Sequence, residues 1–123
     1  MGNAGFVSFS KTLLVRLIES FPEKKIIEMA EYVSGEPMVD RMYAVKGEYT
    51  LESFLGMIED WAGSNKFPLR KGSKDDLTTY TIQLDLSRNW SVYFAHIYKN
   101  VIENLTGKKV AIDTTGNTVW FQF

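Results

Sequence analysis

The chain of 123 residues contains no cysteine. It therefore forms no disulfide, thiolate zinc site or iron–sulfur cluster, and it has no cysteine nucleophile. It contains a single histidine, His96, on which any site that needs an imidazole must depend. No apolar run approaches the roughly 18 residues of a membrane-spanning helix, and the N-terminus lacks the pattern of a signal peptide. We therefore expect a soluble, cytoplasmic protein without membrane contact.

The sequence also lacks a strong net charge, which is −1. A near-neutral total is not typical of a dedicated nucleic-acid binder. The charges are nevertheless unevenly distributed, because residues 1–60 carry more acidic than basic side chains and residues 61–123 carry more basic ones. This asymmetry favours complementary contacts between subunits.

What the chain has is a hydrophobic fraction of 45% and an aromatic fraction of 14%, which are typical of a globular protein. A single domain of this length buries roughly two-thirds of the surface that its unfolded chain exposes. We find no repeat or linker, and we expect residues 1–123 to form one domain.

Periodicity and capping residues predict the order of helices and strands. Helices are predicted over residues 11–20, 22–34 and 51–63, and from a cap at Ser87 or Asn89 to Leu105. Strands are predicted over residues 6–9, 77–86, 110–113 and 118–123, with a short one near 41–45, and residues 66–76 are predicted to be a mobile loop. This order predicts an α+β two-layer sandwich, with helices on one face of a mostly antiparallel sheet.

In three of the predicted helices the sequence pattern indicates which side chains form the apolar face. The helix over 11–20 is expected to be buried on most sides, and the helix over 51–63 on one side only. The last helix has a core stripe flanked by Tyr93 and Tyr98. The residues of that stripe are Trp90, Phe94, Ile97, Val101 and Leu105.

The polar candidates for catalysis are few. His96 falls with Lys99 and Glu103 on the polar side of its helix, so we expect an exposed histidine rather than a general base or metal ligand. The aspartates do not have the spacing of a calcium loop or of a glycosidase pair, and we predict no metal and no cofactor. These aspartates are Asp75, Asp76, Asp85 and Asp113.

Basic residues cluster around Phe67 in the predicted loop, with Lys108 and Lys109 expected nearby. A basic segment with an aromatic residue is one way to hold single-stranded nucleic acid, although a solvated loop explains the same pattern. The nucleic-acid candidates are Lys66, Arg70, Lys71 and Lys74.

Large aromatic side chains with polar tips favour pocket walls and interfaces. In the last strand Trp120 lies on the face opposite Phe121, where it either covers its own sheet or contacts a subunit or a ligand. The candidates for ligand or interface contact are Trp61, Arg88, Trp90, Tyr93, Tyr98 and Trp120.

The segment Leu84–Phe94, read with Asn117–Phe121, resembles small archaeal domains of unassigned function that occur alone or beside DNA-binding modules. This resemblance implies an auxiliary regulatory or assembly role. The order of strand, long helix and terminal hairpin is also similar to haem nitric-oxide-sensing domains and their vinyl-reductase-type relatives. The chain lacks that haem family's Tyr-x-Ser-x-Arg motif, and His96 follows the strand rather than lying on an earlier helix, so we expect no haem.

The sequence thus favours a non-enzymatic regulatory or interaction domain that forms a homodimer and holds a small apolar or aromatic ligand. Two alternatives stay open. One is a nucleic-acid accessory domain that uses the basic segment 66–74. The other is an enzyme whose site combines Asp85, Arg88 and His96.

Overall fold

A computed structural model of the protein describes residues 10–123, and the strand predicted at residues 6–9 lies outside them. The described part is an α+β fold with an antiparallel sheet of order β1-β2-β4-β3, which confirms the predicted class. The helices are α1 (Lys11–Glu19), α2 (Glu23–Val33), α3 (Glu36–Lys46), α4 (Leu51–Ser64) and α5 (Arg88–Thr106). The strands are β1 (Leu69–Lys74), β2 (Leu77–Gln83), β3 (Ala111–Thr114) and β4 (Thr118–Gln122).

The core lies on one face of the sheet, because side chains alternate between the two faces along β2 and β4. Tyr80, Ile82, Val119 and Phe121 are fully buried on the inner face. The rings of Tyr80 and Phe121 stack with centroids 5.1 Å apart. Burying each of these side chains stabilises the fold by roughly 1.5–3 kcal/mol.

Helix α5 follows the predicted boundaries closely. It begins after Ser87, whose backbone is extended, and it ends at Gly107, whose φ of 73° suits a residue without a Cβ. The helix is buried on two sides, since it packs against the sheet on one and against α2 on the other. Ile97, Tyr98 and Val101 are therefore buried, whereas other members of the predicted stripe, including Trp90 and Phe94, are only half-buried.

The strand predicted near 41–45 is wrong, because this segment belongs to helix α3. Met38 and Met42, one turn apart, are its buried residues, while Tyr43 and Val45 are exposed. Because the buried face is narrow and the apolar residues beside it are exposed, the sequence of α3 shows no clear helical periodicity. Two residues indicate this helix more clearly than its apolar pattern does. They are Pro37 in the first turn and Gly47, which ends the helix with a positive φ.

The mobile loop predicted over 66–76 is also wrong for most of its length. Residues 69–74 form the edge strand β1, which pairs with β2. The two strands are joined by Asp75 and Asp76, whose φ values of 52° and 65° are those of a type I′ hairpin turn. Only Leu69 of this strand is partly buried, and charged side chains along an edge strand prevent pairing with other chains.

Helix α1 is less buried than predicted. Its Ser10 cap is confirmed, since the side chain accepts a hydrogen bond from the Leu13 backbone. Ile18 is its buried residue, but Leu13 is 49% exposed and Leu17 is 53% exposed. Apolar packing is thus a small part of what holds α1 in place.

Candidate functional site

Two neighbouring cavities lie in the helical layer. The first, which we call the Trp90 cavity, has a volume of about 420 Å³ and is walled by α1, α4, α5 and the segments around them. Its lining residues are Leu14, Trp61, Asn65, Phe67, Asp85, Leu86, Trp90 and Phe94.

The second, which we call the Tyr98 cavity, has a volume of about 330 Å³ and lies between α2, α3, α4 and α5. Ligand cavities in proteins commonly measure about 300–1,000 Å³, so each of the two falls within that range. The lining residues are Val33, Met38, Arg41, Phe54, Met57, Ile58, Trp61, Tyr93, Phe94, Ile97 and Tyr98.

Trp61 and Phe94 belong to both cavities and form the wall between them. Their ring centroids are 4.6 Å apart, and the planes are inclined by 45°. Phe94 also stacks on Trp90 at 5.6 Å and on Tyr98 at 6.0 Å. Aromatic pairs at these separations contribute about 0.5–1.5 kcal/mol beyond their area, so the wall is a fixed feature of the site.

Polar groups are sparse in both cavities. Asp85 lines the Trp90 cavity, and Arg41 lines the Tyr98 cavity. Burial raises the pKa of Tyr98 and of Tyr93, because the phenolate form loses its hydration. Both phenols are therefore neutral at physiological pH and act as hydrogen-bond donors or acceptors.

A polar junction fixes α1, and with it Leu14, beside the Trp90 cavity. The Asn89 amide donates to the backbone carbonyls of Ile18 and Phe21, each at 3.1 Å. In return the Glu19 carboxylate accepts from the Asn89 backbone N–H at 3.2 Å, at the N-terminus of α5 where a negative charge is favoured. Thus the C-terminal end of α1 and the N-terminal end of α5 satisfy each other's backbone groups.

Four of the six aromatic or basic side chains proposed as ligand or interface contacts are brought together here. Trp61 and Trp90 line the Trp90 cavity, and Trp61, Tyr93 and Tyr98 line the other. Arg88 is elsewhere: it is exposed and pairs with Glu23 at 3.1 Å.

Trp120 is the other residue that lies away from the cavities. It is half-buried on the outer face of the sheet, opposite the helices. In register it lies between Thr81 of β2 and Asp113 of β3.

His96 is half-buried rather than exposed, so its predicted environment is wrong. It shares a small cleft of about 150 Å³ with Glu23, Arg88 and Asp113. Burial, followed by the nearby Lys99, lowers the pKa of His96 below its ordinary value. Asp85 does not belong to this cleft, so the three residues of the enzyme hypothesis are divided between two places.

Among residues 10–123, no group of three or more His, Asp or Glu side chains is placed to bind a metal ion.

The basic residues of the segment 66–74 do not converge on one surface. On β1, Arg70 and Lys74 are directed to the outer face of the sheet, whereas Lys71 is directed to the inner face. There the Lys71 ammonium lies 3.7 Å from the Glu59 carboxylate and 5.7 Å from the centre of the Tyr80 ring. Lys66 precedes the strand, and Lys108 and Lys109 precede β3 at the opposite edge of the sheet.

Several lining residues were not proposed from the sequence. Arg41 and Met38 were not proposed, because the sequence pattern does not predict helix α3, on which both lie. Phe94 was assigned to the core, since periodicity places a side chain on a face but does not show whether that face is filled. Asp85 was proposed only for an enzyme site with Arg88 and His96, and the sequence offers no signal that it borders an aromatic cavity.

Comparison with protein-family models, with characterised proteins and with solved structures gave no significant match. Within residues 10–123, no helix has both the length and the apolar character needed to cross a bilayer.

Proposed function

We propose that this protein is a non-enzymatic, self-associating regulatory domain that holds a small apolar or aromatic molecule in the Trp90 and Tyr98 cavities. The observation that carries the proposal is the pair of cavities separated by the Trp61–Phe94 wall. Cavities with largely apolar walls and a few polar groups are the common form of a small-molecule site.

The lining chemistry supports an aromatic or alkyl ligand with a single polar group. Rings of Trp61, Trp90 and Phe94 offer faces and edges for stacking. Tyr98 lines the Tyr98 cavity, and its neutral hydroxyl is a group that can donate or accept a hydrogen bond with a ligand there. A fully charged ligand is disfavoured, because most of the wall could not compensate for its lost hydration.

A binding role is also supported by the distribution of titratable groups. Each cavity contains one charged side chain, Asp85 or Arg41, among mostly apolar neighbours. Walls of this kind, mostly apolar with a few polar groups, are common in small-molecule binding sites. They favour binding over chemistry, in agreement with the regulatory role implied by the resemblance of residues 84–94 and 117–121.

Ligand binding is tested with unlabelled indole and ¹⁵N-labelled protein. The three tryptophans give three indole N–H signals, of which Trp61 and Trp90 report on the cavities and Trp120 on the outer face of the sheet. We expect saturable shifts of the first two signals and none of the third. Equal shifts of all three, or no saturation up to the solubility of indole, would show that the cavities are not a binding site.

A pair of matched variants locates the binding. Leu86→Trp places a larger side chain in the Trp90 cavity, whereas Leu77→Trp places it at an exposed position at the other end of β2. We expect Leu86→Trp to weaken indole binding by about tenfold or more, since a filled cavity excludes the probe. Leu77→Trp should bind indole as wild type does. Equal affinity of the two variants for indole would contradict its assignment to the Trp90 cavity.

A further inference from the structure

The outer face of the sheet carries one row of side chains that crosses all four strands. Arg70 of β1 is in register with Thr81 of β2, Thr81 with Trp120 of β4, and Trp120 with Asp113 of β3. The row therefore begins with a cation, ends with an anion and has a tryptophan near its centre. Since the alternation in β2 and β4 buries the opposite face, Arg70, Thr81 and Trp120 point away from the core. Asp113 lies in the same row on the edge strand β3, where it also borders the cleft that contains His96.

The two charges of this row are too far apart to neutralise each other. Three strand spacings of about 4.8 Å separate them, or about 14 Å in all. Neither Arg70 nor Asp113 forms an ion pair with another residue of the described chain. Both are exposed.

The neighbouring row on the same face has small residues at both ends. It consists of Gly72, Thr79, Gln122 and Ala111, and the Gln122 amide donates to the Thr79 hydroxyl at 3.1 Å. With glycine and alanine at its ends, this row leaves room for a second surface to approach the sheet.

We propose that the outer face of the sheet binds the same face of a second copy of this chain, with Arg70 of each copy opposite Asp113 of the other. A two-fold axis that runs along the strands between β2 and β4 exchanges β1 with β3. It therefore brings the positive end of one row over the negative end of the other, and it places Trp120 over Thr81. Such an interface is isologous, so each charge pair occurs twice.

The charge pattern also excludes the other simple arrangement. A two-fold axis across the strands would place Arg70 over Arg70 and Asp113 over Asp113, and like charges in such positions are destabilising. Both axes keep the strands of the two sheets aligned, as in packed sheets generally, so the charges decide between them.

The size of the face limits the affinity. Four strands at about 4.8 Å and about six residues at 3.3 Å give a projected area of roughly 400 Å². A stable interface of standard size buries about 800 Å² on each partner, so the dimer should be weak and dependent on concentration. The inference rests on the self-association part of the proposed function and is independent of the ligand, because the cavities lie on the opposite side of the sheet.

Sedimentation of the full chain over a range of concentrations at low salt tests the interface. We expect wild type to dimerise, and Arg70→Asp and Asp113→Arg each to weaken the association about tenfold or more, because two pairs become repulsive in each dimer. An equimolar mixture of the two variants should dimerise as wild type does, since every contact in the mixed pair joins opposite charges. Lys74→Asp is the matched control, because this exposed lysine of β1 has no carboxylate in register across the sheet.

The outcomes separate the interface from the rest of the proposal. A wild-type dimer that both reversals leave unchanged, or a mixture no stronger than the single variants, would overturn this interface while self-association stands. A wild-type monomer at all concentrations would overturn both. Co-sedimentation of such a monomer with oligodeoxythymidylate that is lost in Arg70→Asp would instead assign the face to nucleic acid, and indole binding would be unaffected in each case.

Discussion

The junction between α1 and α5 allows a quantitative test of how the Trp90 cavity is closed. The Asn89 side chain makes two hydrogen bonds to backbone carbonyls of the α1 end, both at 3.1 Å. Asn89→Ala removes both of them but leaves its backbone N–H bonded to the Glu19 carboxylate. A typical hydrogen bond contributes about 1 kcal/mol net, so α1 should lose about 2 kcal/mol of local stability.

Such a loss is measurable because α1 buries little apolar surface and can open without unfolding the core. A change of about 2 kcal/mol corresponds to roughly 30-fold faster hydrogen exchange of the α1 amides. Native-state hydrogen exchange with mass spectrometry would resolve a peptide over residues 10–21 from peptides of β2 and β4. We expect the acceleration to be confined to the first of these.

Asn104→Ala is the control, since Asn104 is exposed on the same helix and its side chain forms no hydrogen bond within residues 10–123. Unchanged exchange of α1 in Asn89→Ala would refute the view that this junction holds the helix. Equal acceleration in α1, β2 and β4 would refute it as well, because α1 would then open only with the whole domain.

Three further predictions concern stability. The carboxylate of Glu103 accepts from the Val110 backbone N–H at 2.8 Å, and this bond lowers the Glu103 pKa. Glu103→Ala should cost about 1–2 kcal/mol at pH 7 in chemical denaturation. The difference should shrink as the pH falls below the ordinary glutamate pKa, because a depressed pKa stabilises only the ionised form; a constant difference would contradict this. Gly107→Ala, at a φ of 73°, should lower stability by about 1 kcal/mol, and an unchanged melting temperature would contradict the strain argument. Tyr80→Phe removes a 2.9 Å hydrogen bond to Glu59 and should cost about 1 kcal/mol, whereas equal stability would mean that this bond contributes nothing net.

Some features of the fold were determined locally, and these were predicted well. The alternation of β2 and the boundaries of α5 follow from residues within each element. Thr50 caps α4 as expected, since its side chain accepts from the Ser53 backbone at 3.1 Å. Caps, periodicity and glycine at a positive φ act over a few residues, so they can be recognised in the sequence.

Other features depend on partners outside the element itself. Strand β1 is mostly exposed and charged, and it exists because β2 lies beside it across the Asp75–Asp76 turn. Helix α3 buries only Met38 and Met42, so its apolar face becomes evident only when it packs in the core.

The candidate site shows the same division. The sequence by itself determined that Trp61, Trp90, Tyr93, Tyr98 and Trp120 were the aromatic candidates, because large amphipathic rings favour pockets and interfaces wherever they occur. Only the tertiary structure decided that the first four surround two cavities while Trp120 lies on the outer face of the sheet. The physical reason is that a cavity is space left between elements, and its shape depends on how helices far apart in sequence pack rather than on the pattern within any one of them.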